Sequence, residues 1–189
     1  MRLARTAFAL DEVQGFLRGG ENNPLVESYL VQYLLVAFYS ELEEHVKGII
    51  AARISQVQDR KVAYFVAKTH EHMLKRVKKS EINDVLQKFG CGEGDVISSL
   101  VGDLNLQPYY DIITNRHLVS HQGGTNMTMS QVAAALPVAE VVLNALAGAL
   151  AADEVPPQSR QATEFEALEG APNAGVIIRA YCWVRNMWR

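Results

Sequence analysis

One short stretch of the chain holds side chains that could act on a phosphate ester or bind a metal. It runs from Asn115 to Gly124 and contains Arg116, His117 and His121 before two glycines. A histidine titrates near neutral pH, so it can take a proton from a ribose hydroxyl or give one to a leaving oxygen. The guanidinium of an arginine binds phosphate in a fixed geometry and stabilises the charge of a transition state. These residue types therefore permit phosphodiester cleavage without a metal.

Helix geometry limits how these side chains can meet. Arg116 and His121 are five residues apart, and five residues turn about 140° around a continuous helix. They can address one phosphate if the helix ends between them, or if a second copy of the chain faces the first across a two-fold axis. The alternative is a structural role, in which the histidine caps a helix end and the arginine pairs with a neighbouring helix. Spacing alone favours the structural role.

A metal site is the other interpretation of the two histidines. His117 and His121 are four residues apart and share one face of a helix, which is a spacing that metal ligands use. Third ligands would have to come from the His-Glu-His segment 70–72 or from Glu43 and Glu44. No glutamate follows His117 in the manner of metalloproteases. We therefore predict no metal and no cofactor, and keep a metal-dependent hydrolase as an alternative.

The composition is typical of a folded protein, and the net charge does not favour binding of nucleic acid over the whole surface. The 189 residues are 49% hydrophobic and 21% charged, with a net charge of −3, so any RNA site must be a local basic cluster. One basic segment lies in a predicted helix over 60–78 and just after it. Its candidate RNA-binding residues are Lys68, Lys75, Arg76, Lys78 and Lys79. The alternative is a soluble helix whose basic end suits the helix dipole.

Cysteine usage and the N-terminal sequence predict a cytoplasmic protein. Cys91 and Cys182 form no paired motif, which is typical of a reducing compartment. No signal-peptide pattern follows Met1. The apolar segment 132–152 contains Pro137 and polar residues, so we predict a buried bundle helix there and no membrane span.

Apolar residues recur at helical spacing through most of the first 151 residues. We predict an all-α, up-and-down helical bundle with one long spine helix over 25–55, started by Asn23 and Pro24. The acidic face of this helix, with Glu41, Glu43 and Glu44, is predicted to be solvated. The other predicted helices cover 3–18, 60–78, 80–88, 95–104, 108 through the histidine motif, and 129–151. The last is started by a capping box of Thr128 and Gln131.

The composition changes after residue 151. Residues 152–172 are rich in proline, glutamate and alanine, and the end of the chain holds both tryptophans. We therefore predict a bundle domain over 1–151 and a linker with a C-terminal tail over 152–189. The sequence does not decide whether the tail is a packing arm, a segment that binds a partner, or a segment without a role.

The run from Asn115 to His121, followed by two glycines and a capped alanine-rich helix, resembles the signature of HEPN domains. It is most similar to the RiboL-PSP-HEPN type, and the long helix and the Phe89-Gly90 turn fit that family in order and spacing. The resemblance covers roughly residues 1–150. It implies a bundle that dimerises with both motifs lining a shared cleft. Ser120 and Gln122 depart from the small residues and glycine that are common there.

The resemblance also implies roles for the motif residues. Arg116 and His121 correspond to the catalytic pair of the family, and His117 to the polar residue that often supports them, which is asparagine in many relatives. Asn115 is a further candidate for a supporting role. Glu43 or Glu44 of the long helix is predicted to form a salt bridge with Arg116 or to orient it.

The function implied by the resemblance is a metal-independent RNA endonuclease of a toxin–antitoxin or antiviral defence system. The 2′-hydroxyl would attack the adjacent phosphate and leave a 2′,3′-cyclic end. The expected partners are RNA, a second copy of the chain, and an antitoxin or nucleotidyltransferase. The alternative is a non-catalytic HEPN module that binds a nucleotide or a partner protein.

Overall fold

The computed structural model describes residues 1–19, 23–73, 77–122 and 124–151. Within these ranges the chain forms seven α-helices and no strand, so the predicted all-α fold is confirmed. The predicted linker and tail over 152–189 lie outside the described residues, as do Lys75 and Arg76. The helices are α1 (Ala4–Gly19), α2 (Pro24–Ile54), α3 (Arg60–Met73), α4 (Lys79–Lys88), α5 (Val96–Val101), α6 (Gln107–Gln122) and α7 (Met129–Ala151).

Helix α2 is the spine of the bundle. The Asn23 side chain accepts hydrogen bonds from the backbone N–H groups of Leu25 (3.0 Å) and Val26 (3.5 Å), and Pro24 occupies the first turn. These contacts satisfy N–H groups that a helix start leaves without partners. From there α2 packs against α1, α3, α6 and α7. Its fully buried side chains include Leu34, Phe38, Leu42, Val46 and Ile50.

The start of α1 is held by a carboxylate from α2. Glu41 accepts hydrogen bonds from the backbone N–H groups of Arg5 (3.0 Å) and Thr6 (2.7 Å) and from the Thr6 hydroxyl (2.6 Å). Its side chain is only 4% exposed. The interpretation of Glu41 as part of a solvated acidic face is therefore wrong: this carboxylate caps a neighbouring helix.

Hydrogen bonds and charge together keep Glu41 ionised. Burial favours the neutral acid, but the bonds from Thr6 and Arg5, with the positive charge of Arg5, outweigh it. The pKa of Glu41 is therefore held below its usual value.

Helix α7 closes the bundle behind α2 and α6. The Thr128 hydroxyl accepts from the Gln131 N–H (3.3 Å), and the Gln131 carboxamide oxygen accepts from the Thr128 N–H (2.8 Å), so the predicted capping box is present. Among the described residues, α7 is a helix long and apolar enough to cross a membrane by length and composition. It packs against five other helices of the bundle and buries eight of its residues. This packing and burial are typical of a core helix of a bundle.

Two predicted helices end earlier than the sequence pattern indicates. The predicted helix over 60–78 does not extend to residue 78: the described part of α3 covers Arg60–Met73, and Lys78 has an extended backbone (φ −73°, ψ 149°) that a helix cannot contain. Lys78 and Lys79 therefore introduce α4 and do not belong to the basic helix. Helix α5 ends at Val101 rather than 104, because Gly102 takes a positive φ of 62°.

Candidate active site

Arg116 lies on the face of an aromatic ring from the spine helix. Its guanidinium carbon is 4.6 Å from the centroid of the Tyr39 ring. Tyr39 is 5% exposed, so the ring is a fixed part of the core, whereas Arg116 is half-buried and reaches its surface. A cation over an aromatic face is stabilised by about 0.5 to 2 kcal/mol. The ring therefore orients the guanidinium.

A cleft of about 300 Å³ opens beside this pair. Helix α2 contributes Tyr39 and Glu43 to its walls, and α6 contributes Arg116 and His117 together with Ile113, Thr114 and Leu118. Lys78, which precedes α4, forms another part of the wall. The cleft thus joins an arginine, a lysine and a histidine in a space that can admit a phosphate group.

The second histidine lies one turn further along α6. The rings of His117 and His121 have centroids 4.4 Å apart and planes tilted by 57°, and both side chains are exposed. His121 does not line the cleft. Because α6 continues to Gln122, Arg116 and His121 point about 140° apart and are separated by roughly 7.5 Å along the helix axis. The helix does not end between them, so the first of the two predicted routes to a joint site is wrong, and the second route, a facing second copy, stays a prediction.

Asn115 connects α6 to the loop that follows the glycines. Its side-chain oxygen accepts from the Thr125 hydroxyl (3.1 Å) and from the Asn126 N–H (3.2 Å), and its amide nitrogen donates to the Asp111 carbonyl (2.9 Å). All three bonds join Asn115 to other residues of the same chain. The geometry therefore makes Asn115 an anchor that fixes the loop at the end of the motif helix.

The two lysines before and at the start of α4 differ in their surroundings. Lys79 forms an ion pair with Asp95 and donates to the Ser98 hydroxyl (2.7 Å). The hydrogen bond from Lys79 is the main cause that holds the pKa of Asp95 far below its usual range, against the effect of burial. Within the described ranges, Lys78 forms no ion pair with an acidic side chain. Lys78 therefore brings an uncompensated charge to the cleft.

A family model described as RiboL-PSP-HEPN matches residues 4–152, which span all seven helices. The chain belongs to the RiboL-PSP-HEPN family. Among curated proteins and solved structures, none matches the chain. The predicted family is thus confirmed, and membership favours an RNA-related nuclease or a regulatory module.

The acidic residues predicted to orient the arginine of this HEPN domain have other partners. Glu44 forms an ion pair with Arg5, and Glu43 pairs with Lys47 (2.6 Å). Among the described residues neither forms an ion pair with Arg116, so the predicted salt bridge is absent, while an orienting role for either glutamate stays a prediction. Glu43 still lines the cleft, where its charge is shared with Lys47. The partner of the arginine is instead Tyr39, which sequence reasoning missed, although Tyr39 and Glu43 are four residues apart and therefore share a face of α2.

The remaining predicted site residues of the HEPN domain are dispersed. Lys68 lies on α3 with its ammonium 6.0 Å from the Tyr64 ring centroid, and its role in RNA binding stays a prediction.

In the part of the chain that the structure describes, no three His, Cys, Asp or Glu side chains form a group that could hold a metal. The side chains of the predicted third ligands at 70–72 lie outside that part.

The anchoring role of Asn115 in the HEPN motif is testable by substitution. We expect Asn115→Ala to lower the free energy of unfolding by about 1 to 2 kcal/mol, because it removes the acceptor of two loop hydrogen bonds. Hydrogen exchange of the Asn126 amide should accelerate. Ser120→Ala is a matched control on the same helix, since among the described residues the Ser120 hydroxyl bonds to the Arg116 carbonyl alone, within α6. Unchanged exchange at Asn126 in Asn115→Ala would contradict the role.

Proposed function

We propose that this HEPN-domain protein is a homodimeric RNA endonuclease that needs no metal. The observation that carries the proposal is the arrangement around the cleft. The Arg116 guanidinium is oriented by the Tyr39 ring and shares the cleft with His117, against which the His121 ring packs. Such an arrangement supplies a fixed cation for a phosphate, and imidazole groups of the kind that can accept and donate a proton in catalysis.

The proposed reaction is a transesterification within the RNA. His121 takes the proton of the 2′-hydroxyl, the 2′ oxygen forms a bond to phosphorus, and the bond from phosphorus to the 5′ oxygen breaks. The leaving oxygen takes its proton from the protonated histidine. The products are a 2′,3′-cyclic phosphate and a 5′-hydroxyl. Arg116 stabilises the additional negative charge on the phosphate oxygens as the new bond forms.

The direction of the motif side chains supports a dimer. Because Arg116 and His121 diverge on the continuous helix α6, a site that uses both of them on one phosphate takes Arg116 from one copy and His121 from the other. In a two-fold dimer the same surface of each copy faces the other. The arginine of one copy and the histidine of its partner then form one site, and the symmetry produces two such sites.

An exposed apolar stripe on α2 supports the same dimer. It consists of Leu25 (62% exposed), Tyr29 (62%), Tyr33 (61%) and Val36 (44%). By helix geometry these four side chains fall within an arc of about 80°, and Glu43 at the cleft lies at the edge of that arc. An apolar stripe of this kind is stabilised when a second protein surface covers it. We propose that the second copy does so.

The biological setting is a further part of the proposal. The resemblance to HEPN toxins and antiviral effectors supports a role in a toxin–antitoxin or defence system in the cytoplasm, with an antitoxin or nucleotidyltransferase as partner protein. Glu43, His117 and the lysines near the cleft would then contact or orient the RNA.

The decisive experiment is cleavage of a mixed RNA pool in excess chelator. We expect the purified protein to cut RNA under these conditions and to leave 2′,3′-cyclic ends, because the nucleophile belongs to the substrate. An RNA with a single 2′-deoxy nucleotide at the cleaved position should resist cleavage. Cleavage that requires added metal, or that continues at the 2′-deoxy position, would overturn the mechanism. Absence of any cleavage would favour the non-catalytic module.

A further inference from the structure

A second hollow lies directly beside the cleft. It has a volume of about 270 Å³ and is lined by Lys78, Lys79, Ser80, Tyr110, Ile113 and Thr114. Three of these residues, Lys78, Ile113 and Thr114, also line the cleft that holds Arg116. The two spaces are therefore neighbours, and Lys78 and Thr114 belong to the wall that they share.

The backbone at Lys78 is fixed on both sides. The carbonyl of the fully buried Val77 accepts a hydrogen bond from the hydroxyl of Tyr109, which is 1% exposed. Burial raises the pKa of Tyr109, and its nearness to two other tyrosines adds to the effect, so this hydroxyl keeps its proton and remains a donor. The Lys78 carbonyl in turn accepts from the Ile82 N–H (3.0 Å).

The following residue is also held in place. The Lys79 ammonium is bound by Asp95 and Ser98, and its interactions with Asp95 and Tyr110 raise the pKa of Lys79 despite partial burial. Lys79 is therefore a structural cation whose charge is balanced by Asp95. Lys78 has no such partner among the described residues, and its exposed side chain is the one that brings net positive charge to both spaces.

The other walls of the second hollow suit a nucleoside. Tyr110 packs edge-to-face on Tyr109 (ring centroids 6.0 Å apart, planes at 70°) and is half-buried, so its ring has a fixed orientation beside the hollow. The hydroxyls of Ser80 and Thr114 are exposed and can form hydrogen bonds with a ribose or a base edge. Aromatic rings and hydroxyl groups of this kind are common in sites for single-stranded RNA.

We propose that the second hollow is a subsite for the nucleotide next to the cleaved linkage. Lys78 binds the phosphate adjacent to the one that is cut, and Tyr110, Ser80 and Thr114 contact the attached nucleoside. This proposal rests on the proposed RNA cleavage and specifies its substrate: single-stranded RNA with a charged phosphate on each side of one nucleotide. Tyr109 is a positioning residue, since it acts through the segment that carries Lys78.

The test combines a variant with a substrate that lacks one charge. Once the cleaved linkage is mapped, the neighbouring phosphate on each side is replaced by a neutral methylphosphonate in two separate oligonucleotides. We expect kcat/KM of the wild type to fall about tenfold on one of them, which is the loss of one charged contact. In Lys78→Met, kcat/KM should be about tenfold lower than in the wild type on the natural substrate. On the sensitive methylphosphonate oligonucleotide, kcat/KM of Lys78→Met should not fall any further. Lys78→Arg should retain most of the activity.

Lys61→Ala is the matched control, because Lys61 is an exposed lysine at the start of α3. It should behave like the wild type on every substrate. The subsite is absent if Lys78→Met cleaves the natural RNA as fast as the wild type does. It is also absent if kcat/KM of Lys78→Met is lower than that of the wild type by the same factor on the natural RNA and on both methylphosphonate oligonucleotides. Either result leaves the cleavage proposal unaffected.

Binding measurements separate the two proposals if the protein does not cleave RNA, so that no linkage can be mapped. The affinities of the wild type and Lys78→Met are then compared for one single-stranded RNA and for versions of it that each carry one neutral methylphosphonate at a different position. A loss of affinity of about tenfold in Lys78→Met on the unmodified RNA, absent on one of the methylphosphonate versions, would support the subsite while the endonuclease proposal fails. The same affinity for Lys78→Met and the wild type would overturn the subsite. The salt dependence of log Kd should also decrease by about one in Lys78→Met.

Discussion

We expect His121→Ala and Arg116→Ala each to lower the rate of RNA cleavage by about 10²- to 10⁴-fold. General acid–base catalysis by a positioned histidine and stabilisation of the transition state by a fixed cation each contribute on this order. His117→Ala should have a smaller effect, because its ring supports His121 by contact at 4.4 Å between centroids. The measurement is single-turnover cleavage of one RNA in excess chelator.

The control for these variants is Arg18→Ala, which removes an exposed arginine of α1 whose bond to the Gln14 carbonyl is local. It should cleave at the wild-type rate. Arg116 also packs on Tyr39, so the melting temperature of each variant must be compared with that of the wild type. If both motif variants cleave like the wild type, these residues do not carry the reaction.

Mixing the two inactive variants tests the dimer itself. If each site takes its arginine from one copy and its histidine from the other, a mixed dimer has one doubly defective site and one intact site. Random exchange then restores about a quarter of the wild-type activity, since half of the dimers contain one working site of two. If both residues act within one copy, no mixed dimer is active. Exchange is verified by copurification of differently tagged copies.

The helices of this fold were predictable because their signals are local. Asn23 with Pro24 and Thr128 with Gln131 start helices by contacts within three residues, and the structure contains both. The extended backbone at Lys78, where the sequence pattern predicts helix, was not predictable in this way. The Val77 carbonyl bonds to Tyr109, 32 residues further along the chain, and such a distant contact leaves no mark in helical periodicity.

The candidate site shows the same division between local and distant contacts. Arg116, His117 and His121 could be selected from residue types and spacing, but the orientation of Arg116 depends on Tyr39 of another helix. Three acids of α2 show why the sequence could not assign their roles. Glu41, Glu43 and Glu44 lie within four positions, yet their partners are Thr6, Lys47 and Arg5 respectively. Only the packing of α1 on α2 determines which of them is buried.

The buried carboxylate of Glu41 is expected to contribute strongly to stability. We expect Glu41→Ala to lower the free energy of unfolding by about 3 kcal/mol, because it leaves the Thr6 hydroxyl and the N–H groups of Arg5 and Thr6 without their acceptor. Glu44→Ala is the control. It removes only the exposed ion pair with Arg5, and such pairs contribute about 0 to 1 kcal/mol. Chemical denaturation at pH 7 measures both values, and equal losses would contradict the cap.

The pH dependence of Glu41→Gln distinguishes the charge of this cap from its shape. The pKa of Glu41 is lower in the folded state than in the unfolded chain, so the unfolded chain binds more protons where the two differ. The stability from its charge is therefore fully present above the unfolded pKa of about 4 and is lost as the pH falls through the folded pKa. We expect the stability difference between wild type and Glu41→Gln to be constant from pH 7 to about pH 5 and to shrink below pH 4. A difference that does not change with pH would show that Glu41 acts through its shape alone, and that the ionised carboxylate is not what stabilises the start of α1.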